Sequence, residues 1–180
     1  MQAIAAARRR ARKIHRAAVV AAIGGWTLAV FAGLTLLSGL LSPSALPAGA
    51  ALAVLAWLEL RGSRGLRRFD LAAPHRLGWN QLALATLIVA CGVWGIIGAL
   101  TGPSPYQAQL AAGGPVAETL QPIDRLQRGL TVLFYAVVIG VSLLTQGGLS
   151  AYYFTRRRHL SAYLCDTPRW IVDMLRVAAG

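Results

Sequence analysis

A chain of 180 residues with 56% hydrophobic and only 13% charged residues has too little charge to cover a soluble domain of its size, which excludes an ordinary water-soluble enzyme or binding module. Eighteen Lys+Arg stand against six Asp+Glu, a formal net charge of +12 that fits either a nucleic-acid footprint or the basic flanks of membrane helices. The charge-free stretches decide between them. No charged residue occurs between Arg16 and Glu59, between Arg76 and Glu118, or between Arg128 and Arg156. Since a helix rises ~1.5 Å per residue and the hydrocarbon core is ~30 Å thick, each gap can hold a membrane span, and the first can hold two.

Residues 1–16 form a basic arm, Arg-rich and free of acid. The apolar run that follows exceeds the ~7–15 residues of a secretory h-region, so the arm reads as a retained helical extension. Span one is expected at residues 17–41. Pro43, Ser44 and Pro47 mark a turn, with Pro47 suited to the start of the next helix. Span two follows at residues 45–60, short for a full crossing. Span three is expected at residues 79–100 and span four at residues 129–154. The connection between them is punctuated by Pro103, Pro105, Gly113, Gly114 and Pro115; Pro122 and Asp124 predict the helix start that leads into span four, and Asp124 can pair with Arg128 at spacing four.

The basic residues alternate with these crossings. Six lie in the N-terminal arm, five between spans two and three and five after span four, against none and two (Arg125, Arg128) in the opposite connections. That is the positive-inside pattern for four spans with both termini inside. It also accounts for "YYFTRRRHL": Tyr152, Tyr153 and Phe154 as an interfacial aromatic belt, with Trp57 and Trp79 at the same level, and Arg156, Arg157 and Arg158 as the anchor, with no need of a nucleic-acid partner. The expected fold is therefore all-α: an integral membrane bundle of four transmembrane helices over residues 17–155. A basic cytoplasmic tail, residues 156–180, carries a short amphipathic helix at residues 168–178. Ala- and Arg-rich usage with the single lysine Lys13 points to a GC-rich bacterial genome, hence the inner membrane.

In lipid, helices associate through close contact at small residues. Ala21, Gly25, Ala29 and Gly33 repeat at spacing four on span one and Cys91, Gly95 and Ala99 do so on span three, with Ala136 and Gly140 on span four. These are the candidate helix-packing surfaces, within the bundle or toward a partner. The polar residues Glu59, Asn80, Gln81 and Gln146 all fall toward the cytoplasmic side, a candidate cluster in which Glu59 can pair with Arg16, Arg61 or Arg64. An ionisable group in a span is either a structural clasp or a transport site. In the tail helix, Pro168 occupies the first position, and Trp170, Ile171, Met174, Leu175 and Ala178 share one face, fit for the inner leaflet or a partner's groove.

The motifs of catalysis are missing. Cys91 and Cys165 fall on different levels, the three histidines (His15, His75, His159) flank the spans, and no CxxC, HExxH, GxSxG, Walker or GxGxxG pattern occurs. No catalytic residue, metal or cofactor is therefore expected. The reading is a non-catalytic membrane protein, an accessory, scaffold or assembly subunit of a larger inner-membrane complex that contacts the bilayer and a membrane-protein partner or further copies of itself. The alternative is a small oligomeric transporter or channel whose polar cluster lines a vestibule on the cytoplasmic side.

Overall fold

The structure, a computed structural model, describes residues 2–177, and every regular element among them is helical. Helix α1 spans Gln2–Gly39 and leads through a 3-10 turn, Pro43–Ala45, into α2, Leu46–Arg67. Then come α3 (Ala73–Thr101), α4 (Gln107–Ala112), α5 (Pro115–Asp166) and α6 (Arg169–Val177). Four stretches are long and apolar enough to cross a membrane: Ile14–Gly39, Pro43–Arg67, Ala73–Thr101 and Pro115–Cys165. Large apolar side chains such as Ile23, Trp26, Phe31, Trp94, Phe134 and Leu144 are exposed. Water would not tolerate such a surface, and lipid solvates it. The chain has the architecture of a multi-pass membrane protein.

Several boundaries differ from those read off the sequence. The basic arm is continuous with span one, since α1 is uninterrupted from Gln2. Span two is not short: α2 has 22 residues and rises about 33 Å, because Arg61, Arg64 and Arg67 extend the helix past the apolar run. The helix of span four begins at Pro115 rather than at Pro122, which lies inside it, and its 52 residues rise about 78 Å. Helix α4 arises in a connection where only turns were expected. Ala178, expected on the tail helix, lies outside the described residues.

The chain divides into two compact units, Met1–Leu84 with Gln146–Gly180, and Ala85–Thr145. In the first, a side chain on one helix meets bare backbone on the next. A Cβ added at Gly25 would lie 2.8 Å from Leu60 Cγ, one at Gly49 2.9 Å from Leu36, one at Gly62 2.5 Å from Leu77 Cδ2, and one at Gly78 2.7 Å from Phe154. The 25–60 and 36–49 pairs run in opposite directions along α1 and α2, and the 62–77 pair with the Asn80–Leu55 bond does so along α2 and α3, so each of these two pairs of helices is antiparallel. Ser63 and Ser150 add bonds to the carbonyls of Ala18 (2.9 Å) and Gly78 (3.1 Å). A buried cluster of Ala17, Ala18, Ala21, Leu66, Ala73, Leu77 and Tyr153 fills the space between them.

The turn between α2 and α3 closes this unit. The N–H of Asp70 bonds to Gly65 O (3.0 Å) and that of Phe69 to Leu66 O (3.1 Å), the paired bonds of a Schellman ending. Glycine is usual at the left-handed position, yet Phe69 holds it at φ 57°. Its ring stacks on Tyr163 (centroids 5.4 Å apart) and meets His15 edge-on, inside a cluster with Ile14, Leu160, Ile171 and Val172. Burial of a phenyl ring is worth about 2–3 kcal/mol, enough to hold a backbone strained by about 1–3 kcal/mol.

In the second unit α3 and α5 again pack at glycine: a Cβ on Gly92 would lie 2.8 Å from Ile139, and one on Gly95 would collide with the Tyr135 ring. Arg128 closes the end of α3 from outside. Its guanidinium donates to Ala99 O (2.9 Å) and Gly102 O (3.2 Å) and to Asp124 at 3.0 Å, and the Asp124 carboxylate accepts the Ser104 hydroxyl at 2.6 Å. A cation at a helix C-terminus answers the last carbonyls and the dipole together.

Gly25→Leu should lower the thermal midpoint of the detergent-solubilised protein, overpacking against Leu60 costing about 1–3 kcal/mol, whereas Gly33→Leu, with nothing within 4 Å of its Cβ, should leave it unchanged. Asp124 precedes the expected span, and the Ser104 hydrogen bond first, then Arg128, hold its carboxyl below the ordinary value of 3.8. A lowered folded-state value stabilises the protein above that ordinary value, and the contribution disappears as pH falls through the folded one. The midpoint advantage of wild type over Asp124→Asn should therefore shrink between about pH 6 and about pH 3 in a thermal melt series.

Candidate polar site around Glu59

Glu59 is 1% exposed although its own helix is otherwise apolar at this level. Helix α2 directs it inward, and the neighbours converge on it. Asn80 Nδ2 donates to Oε2 at 2.6 Å, Gln81 Nε2 donates to Oε1 at 2.9 Å, and the Tyr153 hydroxyl on α5 reaches Oε1 at 3.4 Å. Gly24 on α1 completes the enclosure, since a Cβ there would sit 3.8 Å from Oε1. Asn80 also donates to Leu55 O at 3.1 Å, so its amide group clips α3 to α2 at two points. A carboxylate has only acceptors, and here donors from two other helices answer it. That is what a polar group in hydrocarbon requires.

Three of the four polar residues expected to cluster are brought together. Gln146 is half-buried with its Oε1 enclosed and without a partner, and the helix α5 contribution to Glu59 comes instead from Tyr153, seven residues on and so on the same face. Tyr153 was read from the sequence as part of an interfacial belt. It is 1% exposed and belongs to the core. The signal for it was the two-turn spacing from Gln146, which the run of adjacent aromatics concealed. Trp57 and Trp79 are exposed as a belt requires, and Phe154 packs against Gly78. The arginines offered as partners for Glu59 lie elsewhere: the Arg61 guanidinium lies over the Trp57 ring, 5.2 Å from its centroid, and Arg16 and Arg64 are exposed.

The packing candidates divide. On α1, Ala21 and Gly25 are buried and Ala29 is half-buried, whereas Gly33 is open. On α3, Gly95 meets Tyr135 and Ala99 gives its carbonyl to Arg128, but Cys91 is exposed and its neighbour Gly92 makes the close contact. Spacing four drifts round the helix, and the contact follows 92, 95 and 99. In the tail, Ile171 and its neighbour Val172 are buried, while Trp170 and Met174 remain 58% and 48% exposed. The expected face of α6 is thus split, its inner part covered by Ile14, Phe69, Leu160 and Tyr163 of the same unit. The Leu175 side chain lies outside the described residues.

Against this geometry, the comparisons with known proteins add nothing: no family model, no curated protein and no solved structure matches the chain.

Glu59→Leu removes three interhelical hydrogen bonds. At about 0.6 kcal/mol per interhelical hydrogen bond in a membrane, the loss should approach about 2 kcal/mol, read as a lower unfolding midpoint in mixed micelles.

Proposed function

We propose that this chain is a non-catalytic accessory or scaffold subunit of a larger membrane complex, in the bacterial inner membrane with both termini in the cytoplasm. The observation that carries the reading is the closure of the Glu59 cluster. A transport site has to exchange its ionisable group with water on one side and then the other, whereas Glu59 is sealed by donors from two helices. Thr27, Thr101 and Thr145 bond back to their own helices, to Ile23 O, Ile97 O and Val141 O. They offer no steps for an ion. Contact surfaces, in turn, are available. Gly33 on α1 and Gly140 on α5 are open to another helix, and Trp170 and Met174 face outward from α6. Orientation rests on the sixteen basic residues of the tails and the α2–α3 connection.

A second reading, a small oligomeric transporter or channel, is favoured by one observation. The amide oxygens of Asn80, Gln81 and Gln146 are buried without partners, and unmet acceptors are what a transient cation would use.

The test is the composition of the particle solubilised in mild detergent. The scaffold reading expects a stoichiometric foreign membrane protein that is lost in Gly33→Leu while the chain stays folded. A homo-oligomer alone, with a flux in liposomes that Glu59→Gln abolishes without loss of protein, would replace it by the transporter.

A further inference from the structure

The polar cluster has a second surface beside it. Along one side of the α2–α3 hairpin runs a furrow of about 520 Å³, a size typical of ligand sites. Its lining includes the small residues Gly62, Gly65 and Ala73. Its two ends differ in chemistry. Leu55, Leu58 and Ala83 line one end, within the residues expected to span the membrane, together with Asn80, whose amide N–H groups are taken up by Leu55 O and Glu59; Arg61, His75 and Arg76 line the other, just beyond. Trp79 stands at the junction, with its indole N–H bonded to His75 Nε2 at 3.2 Å. A ligand that fits must be apolar at one end, anionic at the other, and bound at the level where hydrocarbon gives way to water.

The arginines are able to receive it. Arg61 uses only the face of its guanidinium on Trp57, which leaves the N–H edge for an anion. Arg76 is paired with Asp70 at 3.7 Å, with the two side chains 67% and 43% exposed, a loose contact worth little. Asp70 also lines the furrow and opposes an anion, so the lining carries two guanidinium charges against one carboxylate, a net of one positive charge.

We propose that this furrow holds one anionic phospholipid, its phosphate between Arg61 and Arg76 and an acyl chain over Leu55, Leu58 and Ala83. The site needs the hairpin end to sit at a membrane surface but needs no partner protein. It is therefore tested on the isolated chain, separately from the scaffold reading.

The purified protein is delipidated, exchanged into detergent containing either phosphatidylglycerol or phosphatidylcholine, and examined by native mass spectrometry for retained lipid. One tightly held phosphatidylglycerol is expected, with phosphatidylcholine lost. Arg61→Gln with Arg76→Gln should weaken retention on the order of twentyfold, a basic side chain near an anionic headgroup being worth about a factor of five each. The control pair Arg157→Gln with Arg158→Gln, exposed on α5, should not. Ala83→Trp, at an exposed position on the apolar end, should block retention with an unchanged thermal midpoint, so the outcome does not depend on the arginine variant folding. Equal retention of both lipids, or of phosphatidylglycerol by both furrow variants, overturns the site. So does displacement of the lipid by millimolar glycerol phosphate alone, which would assign the arginines to a soluble phosphate.

Discussion

A carboxyl group buried between helices has no water to fall back on, and the arrangement of α2, α3 and α5 follows from meeting that need at Glu59. The donors have to come from neighbouring helices, because the N–H groups of α2 are already committed to its own turns. Asn80 and Gln81 are adjacent on α3, about 100° apart around the axis, and reach the two carboxylate oxygens from either side. Only one register of α3 against α2 allows that. Shifting α3 by one residue turns one of the two amides away and leaves one carboxylate oxygen short of its donor. Tyr153 then sets α5 against the same point.

What Glu59 specifies, glycine permits. Apolar burial gives helices in lipid little reason to associate, so contact has to come from close packing and from polar bonds. Gly62 receives Leu77 and Gly78 receives Phe154, both on the turn side of the polar cluster, and Gly25 receives Leu60. Each pair brings two helix axes near enough for short side chains such as Asn80 and Ser63 to span the gap. Phe69 contributes from the turn: a bulky residue in a left-handed conformation persists because its ring is clamped between His15 and Tyr163.

The helical class and the number of helices long and apolar enough to cross a membrane were legible in the sequence because they depend on long-range statistics, above all the charge-free gaps. The polar residues of α2 and α3 stood out for a related reason, since each is an exception in an apolar run. Details that depend on phase were not legible. A spacing-four stripe marked Cys91, while the helix presents Gly92. Tyr153 was indistinguishable from Tyr152 and Phe154, because one-dimensional neighbours point in three directions on a helix. Helix ends were hidden where charge continues the helix past the apolar run, at Arg61 to Arg67, and where proline is accommodated inside it, at Pro122. The capping of α3 by Arg128 joins residues 26 to 29 apart, beyond any local pattern.

The bonds to Glu59 also carry an order in time. Asn80 and Gln81 are 21 and 22 residues from it along the chain, whereas Tyr153 is 94 away. During synthesis the α2–α3 hairpin, closed by the Phe69 turn, is complete before α5 has been made. The nascent hairpin therefore carries donors for its own carboxyl group, whereas helix α2 alone would hold that group bare. Helix α5 arrives at a carboxyl group that already has two of its three donors, and Tyr153 supplies the third.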